Sequence, residues 1–324
     1  MPGDNDGAVG VAAPAGVWQH DPSTCRSRQI VRSRPYSRAL TVAESTDNRT
    51  RKARASGSGD FDHGVAAVIA SARSSEELRD LRRGLRGLSR VGIHSFEALT
   101  RALPDLRGLA GWTAVLLLEA RGRRASRALL SLLTGGDNVL AVEASKALAN
   151  LGGVQVLRGC TRVLESEVPT PAKRAAVYAL ASMRDDKAAG TIVARVLDRD
   201  EDPDLRGQAA EGLDFFGREG GPHRQLAVRT ALRGLEDHSP VVRFWCAFAL
   251  GAMPHPPAIP ALRRLARRDK AVCPGWWRVC DEAADAVAQM EGRPVPERTR
   301  TPQSRVPDTR LPPRRTRAGW PRAR

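Results

Sequence analysis

The stretch LEDHSPVVRFWCAFALGAM, residues 235–253, has the pattern of a turn followed by an apolar helix. Pro240 suits the first helical turn, because the N–H that proline lacks would have no partner there. Asp237, just before the helix, complements the positive end of the helix dipole. The apolar run is interrupted by one charged residue, Arg243. A guanidinium inside an apolar helix needs either a structural or a functional explanation.

The pattern around Leu250 recurs along the chain, in short apolar phrases centred on a leucine or valine that, in all but one copy, follows a small residue. Successive copies are separated by 31, 32, 33, 37 and 37 residues, and a weaker copy centred on Leu85 precedes them by 32. The central residues of the main copies are Leu117, Leu148, Leu180, Leu213, Leu250 and Val287. Repetition at this period is typical of repeat architectures.

Each phrase is followed by a turn containing Gly or Pro and by a second segment with apolar residues three and four apart. This is the helical period, and no segment alternates as a strand would. One such hairpin cannot bury both apolar faces alone, whereas stacked neighbours can. The sequence therefore predicts an all-α solenoid of about six to seven helical hairpins over residues 63–291. Residues 1–62 and the Pro/Arg-rich residues 292–324 have no apolar period, and we expect them to be disordered.

The repeated phrases resemble HEAT repeats. Two copies carry the pattern Asp-x-x-Pro followed by Arg, one at Asp237, Pro240 and Arg243, the other at Asp200, Pro203 and Arg206. They are most similar to the short bacterial, phycobilisome-lyase-like type. The resemblance covers roughly residues 74–291 and is carried by motifs in the last four copies, whereas the first three copies share only the period. It implies an α-solenoid.

An acidic and a basic residue lie six positions apart in three consecutive copies. The pairs are Glu167 with Lys173, Asp200 with Arg206, and Asp237 with Arg243. In HEAT repeats such residues form a ladder, in which the base of one repeat reaches the acid of its own or the next repeat. The resemblance therefore implies a structural ladder and a structural role for Arg243.

The formal charge of +16 lies mostly outside the repeats. Residues 1–60 hold 9 Lys and Arg against 6 Asp and Glu, residues 292–324 hold 10 against 2, and residues 61–291 keep a net charge of only +5.

Five dispersed cysteines, without a Cys-x-x-Cys pair, indicate neither a disulfide framework nor a zinc ribbon. We expect a cytoplasmic protein without a membrane segment.

No catalytic motif emerges from the sequence. Phosphate-binding loops, His-Glu-x-x-His and Gly-x-Ser-x-Gly are absent, and no His is followed by the Glu that di-iron HEAT-type hydroxylases need. The spacing of Cys273, Cys280, His238 and His255 matches no standard zinc pattern. We therefore predict a protein that is not an enzyme and has neither a cofactor nor a metal site.

The strongest functional signal is a series of arginines on the second helices, which line the concave surface in HEAT-like solenoids. We name this series the arginine track: Arg101, Arg158, Arg162, Arg195, Arg229, Arg233, Arg263 and Arg267. Its forked donors would bind an acidic protein surface or segment. The alternative is that arginine is simply the default solubilising residue of this chain, which has only five lysines.

The sequence thus favours a non-enzymatic scaffold whose concave surface holds an acidic protein partner. Nucleic-acid binding ranks second, because the repeat region is only weakly basic and has few aromatics for base stacking. HEAT-like DNA glycosylases also have basic grooves with tryptophans, but this chain offers no identifiable catalytic Asp. A third alternative, a lyase or chaperone-like helper of a cofactor-bearing protein, follows from the resemblance alone.

Overall fold

The computed structural model of the protein describes residues 57–183, 186–198, 202–217, 221 and 223–298. These ranges contain 14 α-helices and no β-strand, apart from one isolated bridge between Val272 and Arg278. The prediction of an all-α repeat fold is confirmed. The residues expected to be disordered lie mainly outside the described ranges. Within these ranges, helix already begins at Gly57, six residues before the predicted boundary of the solenoid.

The helices follow one another with short connections. Their bounds are α1 Gly57–Ala70, α2 Ser75–Arg90, α3 Phe96–Ala102, α4 Gly108–Ala120, α5 Ser126–Leu133, α6 Asn138–Leu151, α7 Val154–Glu165, α8 Thr170–Ser182, α9 Lys187–Asp198, α10 Pro203–Phe216, α11 Arg224–Gly234, α12 Pro240–Ala252, α13 Ile259–Arg268 and α14 Val279–Met290.

Helices α2 to α13 form six consecutive hairpins, each with a first helix (even-numbered) and a second helix (odd-numbered). Each first helix packs against the first helix of the next hairpin, from α2 through to α14. The second helices α5, α7, α9 and α11 also contact their neighbours in order, but less extensively. The result is a layered stack in which every repeat is held mainly by adjacent repeats, as expected for a solenoid.

The repeat leucines form the spine of the core. Leu117, Leu148, Leu213 and Leu250 have no exposed surface, and Leu180 is 1% exposed. Small residues let the first helices approach closely. A Cβ added to Gly212 of α10 would lie 2.6 Å from the Cβ of Ala181 on α8. This distance is too short for two methyl groups, so the packing of these helices requires glycine.

Local signals place the helix starts. The Asp202 side chain accepts hydrogen bonds from the backbone N–H groups of Asp204 and Leu205, and Pro203 occupies the first turn. Asp137 caps α6 in the same way. The turn between α6 and α7 is made by Gly152 and Gly153, both at positive φ, a conformation that glycine adopts without steric cost. Capping acids, prolines and glycines therefore fix where the hairpins turn.

Candidate partner-binding surface

The second helices present the exposed arginines. All eight side chains of the arginine track are solvent-exposed: Arg101 on α3, Arg158 and Arg162 on α7, Arg195 on α9, Arg229 and Arg233 on α11, and Arg263 and Arg267 on α13. The apolar residues of the same helices face the core, as Val156, Val193 and Leu262 do. The concave character of this surface remains a prediction.

An open groove lies between two neighbouring second helices. It is lined by Leu157, Arg158, Thr161 and Arg162 of α7 and by Ile192 of α9, and its volume is about 510 Å³. Leu157 and Ile192 give it an apolar surface, and the two arginines stand one helical turn apart at its side. The Arg162 Nε donates to the backbone carbonyl of Arg158 at 3.4 Å, which orients the guanidinium along the helix.

Three members of the arginine track bind carboxylates of the chain itself. Arg233 of α11 contacts Asp198 of α9 through Nη2, at 2.9 and 2.7 Å from the two carboxylate oxygens. The Arg263 guanidinium contacts Glu291, and Arg101 lies 3.9 Å from Glu97. The pair between Arg233 and Asp198 joins two second helices of adjacent repeats. These three arginines therefore already have partners, and the groove arginines on α7 are better candidates for binding another molecule.

Two arginines of the first helices, Arg206 of α10 and Arg243 of α12, lie instead at the turns between repeats. Arg206, only 3% exposed, forms an ion pair with Asp237 of the next repeat, and its Nη2 lies 3.1 Å from the His238 Nε2. Arg243 then donates through Nε to Asp269 at 2.6 Å. Its Nη1 donates to the carbonyls of Asp237 and His238, at 2.7 and 2.9 Å. Arg206 and Arg243 thus each connect a first helix to the aspartate that ends the hairpin, Asp237 and Asp269 respectively.

The other ladder residues give a mixed result. Asp200 lies outside the described residues. Glu167 is exposed, Lys173 is half-buried, and within the described ranges no ion pair joins them. Asp269, which accepts from Arg243, was absent from the sequence prediction because no proline follows it three residues later. Its place at the end of the second helix α13 was the signal that could have identified it.

The geometry of stacked hairpins with arginine–aspartate contacts at their turns agrees with a family comparison. Residues 192–273 match the sequence model of the family described as HEAT repeats. The chain contains HEAT repeats. The matched range spans hairpins α10–α11 and α12–α13, which carry the Asp-x-x-Pro pattern. No curated protein matches the chain.

Four further observations concern catalysis, metal binding, base stacking and membrane crossing. The HEAT-repeat family is generally non-catalytic. In the part of the chain that the structure describes, no group of three or more His, Cys, Asp or Glu side chains could hold a metal ion. Trp112, Trp245, Trp276 and Trp277 are all buried, so none offers an exposed face for base stacking. None of the described helices has the length and apolar character needed to cross a bilayer.

The four described cysteines are buried in the helical stack. Burial raises the pKa of Cys160 to about 12, and it also raises the pKa values of Cys246 and Cys273. A thiol acts as a nucleophile or metal ligand only when it is deprotonated. The buried cysteines therefore behave as small apolar core residues.

Sequence reasoning missed a row of buried or half-buried carboxylate and aromatic residues on the first helices. Tyr178, Glu211, Phe248 and Asp285 occupy equivalent positions, each two residues before the central residue of its repeat. Glu211 and Asp285 are only 2% and 1% exposed, and Phe248 is 8% exposed. Burial, with Glu211 as a further cause, raises the pKa of Tyr178. The signal in the sequence was the charged or aromatic residue at a fixed repeat position, which is visible only after the repeats are aligned.

Proposed function

We propose that the protein is a non-enzymatic scaffold that binds an acidic protein partner through the second helices of its HEAT repeats. HEAT repeats commonly mediate protein interactions, which supports the general class. The observation that carries the proposal is the groove between α7 and α9. Its apolar surface beside Arg158 and Arg162 suits a segment that alternates carboxylate and apolar side chains.

The groove arginines can contribute more than those that are already paired. An exposed ion pair contributes about 0–1 kcal/mol, so an arginine bound to its own chain gains little by exchanging partners. Arg158 and Arg162 are exposed and one turn apart, and they can bind carboxylates by forked hydrogen bonds while the partner covers Leu157. Arg195, exposed on α9, adds to the positive field beside Ile192.

Nucleic-acid binding remains the second candidate. The exposed arginines would also contact phosphates, but the buried tryptophans and the modest charge of residues 61–291 favour a protein partner. The two candidates differ in salt dependence, because duplex binding releases one counterion for nearly every phosphate that is neutralised.

The test compares the double variant Arg158→Glu/Arg162→Glu with the control Arg82→Glu/Arg86→Glu. The control reverses two exposed arginines with the same spacing, on the first helix α2. Fluorescence anisotropy measures the binding of a labelled peptide of alternating Glu and Leu and, separately, of a labelled DNA duplex. We expect the groove variant to bind the peptide at least about 10-fold more weakly, because attraction becomes repulsion, and the control to stay within about twofold.

Equal losses in the two variants would contradict the proposal, because the binding would then reflect total charge. Tighter binding of the duplex than of the peptide, with a steep salt dependence, would favour the nucleic-acid alternative instead.

A further inference from the structure

An exposed valine lies at the N-terminal end of the groove between α7 and α9. Val154, the first residue of α7, is 60% exposed. Residues four apart share one face of a helix, so Val154 stands in line with Arg158 and Arg162, two of the residues that line the groove. A single exposed valine is ordinary on a protein surface, but this one extends an apolar groove by a further helical turn. The surface that a partner can cover is therefore larger than the groove itself.

This end of the groove is apolar on both of its helices. On α7, Val154 is followed one turn later by the half-buried Leu157. On α9, the exposed Ala188 stands one turn before Ile192, and repeats stack in the same orientation, so both helices begin at the same end. Lys187 is also exposed there, but it stands about 100° around the helix from Ala188. The residues in line with the groove are thus apolar at this end.

The opposite end of the groove is basic and includes an arginine that keeps its donors. Arg195 of α9 begins the phrase Arg-Val-Leu-Asp, which matches Arg-Val-Leu-Glu at Arg162 of α7. In the next repeat, Arg233 contacts Asp198, the last residue of the phrase on α9. The equivalent contact would join Arg195 to Glu165, yet among the described residues no ion pair connects these two exposed side chains. The Arg195 guanidinium is therefore available to carboxylates of another molecule.

The spacing along α7 fits an extended partner segment. Val154, Arg158 and Arg162 are four residues apart, which corresponds to a rise of about 6 Å per step in an α-helix. In an extended chain every second side chain points to the same side, and two residues span about 6.6 Å. Alternate side chains of such a segment therefore meet successive positions of this line. The matching segment has an apolar residue on Val154 and acidic residues two and four positions away, which form forked hydrogen bonds to the arginines.

We propose that Val154 is a specificity-determining contact of the groove, and that the acidic partner places an apolar anchor residue on it, two positions from the first of two carboxylates. This inference rests on the proposed function and deepens it, because it defines the partner segment by more than its charge. A purely basic surface favours every additional carboxylate. The groove with Val154 instead favours the replacement of one terminal carboxylate by an apolar side chain.

Three labelled peptides of five residues test this preference by fluorescence anisotropy with the full-length protein. The reference is Glu-Leu-Glu-Leu-Glu, which in an extended conformation has three carboxylates on one side. The peptides Leu-Leu-Glu-Leu-Glu and Glu-Leu-Glu-Leu-Leu each replace one terminal glutamate, and together they cover both directions in which a segment can lie along α7. We expect one of them to bind about 3–10-fold more tightly than the reference, because leucine and Val154 shield each other from water. Weaker binding of both, as the loss of one charge alone predicts, would overturn the proposal.

A matched pair of valine variants locates the preference. Val154→Ser should remove the gain, so that the leucine peptide binds no more tightly than the reference. Val91→Ser makes the same change at another valine, 65% exposed just after α2, and should keep the gain within about twofold. Both valines are exposed, so neither substitution opens a cavity, and circular dichroism checks that the helix content is unchanged. Persistence of the gain in Val154→Ser would contradict a contact at this residue.

The same measurements separate this inference from the proposed function. If Arg158→Glu/Arg162→Glu weakens the binding of the reference peptide but neither leucine peptide gains affinity, the groove binds acidic segments and the role of Val154 is refuted. If the double arginine variant binds the reference peptide as tightly as the unchanged protein does, the proposed function fails as well.

Discussion

The Nε of Arg243 lies 2.6 Å from the Asp269 carboxylate, and this contact joins the last complete hairpin of the stack to the segment that leads into α14. The same guanidinium donates to two carbonyls of its own turn. One arginine thus fixes the N-terminal turn of α12 and the end of α13 together. Such a contact sets the register between repeats, while the apolar spine supplies most of the stability.

Stability measurements can separate these roles. We expect Leu250→Ala to cost about 2–5 kcal/mol, because it leaves a cavity at a fully buried position. Arg243→Ala should cost about 1–3 kcal/mol, since it leaves the mostly buried Asp269 without this donor. Arg229→Ala, at an exposed position, should change stability by less than about 0.5 kcal/mol. Urea unfolding measures all three, and a larger loss for Arg243→Ala than for Leu250→Ala would reverse our assignment.

The close approach of α8 and α10 predicts an unusual glycine effect. Alanine is favoured over glycine in a helix by about 1 kcal/mol, yet Gly212→Ala places a methyl group 2.6 Å from the Ala181 Cβ. We expect a net loss of about 1–3 kcal/mol from this overpacking. The control is Gly59→Ala on α1, where a Cβ meets no atom within 4 Å. Thermal melts should show a lower Tm for the first variant only; stabilisation by Gly212→Ala would disprove close packing there.

The buried cysteines predict how stability depends on pH. The folded protein raises the pKa of Cys160 to about 12, well above the value of about 8.5 for a free thiol. As the pH rises, the unfolded chain loses the Cys160 proton before the folded protein does. The contribution of this thiol to the free energy of unfolding is therefore fully present below about pH 8.5 and is lost as the pH rises towards 12. Urea unfolding at pH 7 and pH 9.5 should therefore show lower stability at the higher pH, and Cys160→Ala should reduce the difference. An identical pH difference in the variant would contradict the shift.

Labelling gives a direct measure of the same burial. Iodoacetamide at pH 8 should modify Cys160, Cys246 and Cys273 only slowly in the native protein and rapidly in urea, because the thiolate fraction and the accessibility are both low in the fold. Rapid native labelling of Cys246, whose pKa is also raised by burial, would show that α12 is not packed as described.

Periodicity made the architecture predictable. The leucines spaced by 31 to 37 residues and the prolines at helix starts identify the hairpins, because every copy must bury the same faces. The spacing paired Asp200, which lies outside the described residues, with Arg206, and the structure shows that Arg206 forms an ion pair with Asp237, one repeat later, as the ladder pattern allows. A spacing within one repeat shows that a ladder exists, but it does not choose between partners in the same and in the next repeat.

The buried carboxylates of the first helices were harder to predict. Glu211 and Asp285 look like ordinary polar helix positions, and their burial arises only when adjacent first helices pack closely. Arg298 lies in a segment that the sequence assigned to the tail, and its contact with Asp285 depends on the return path after α14. Such contacts between elements leave no periodic signal in one sequence. The exposure of Arg158 and Arg162, by contrast, follows directly from the apolar period of α7.

Hydrogen–deuterium exchange of the full-length protein can locate the acidic partner, which we propose binds the second-helix surface. Adding the peptide of alternating Glu and Leu should slow exchange in α7 and α9, at residues 154–165 and 187–198, because the bound peptide suppresses local opening there. The Arg158→Glu/Arg162→Glu variant should lose this protection. Protection confined to the first helices, or equal protection in the variant, would show that the acidic peptide does not bind the second-helix surface.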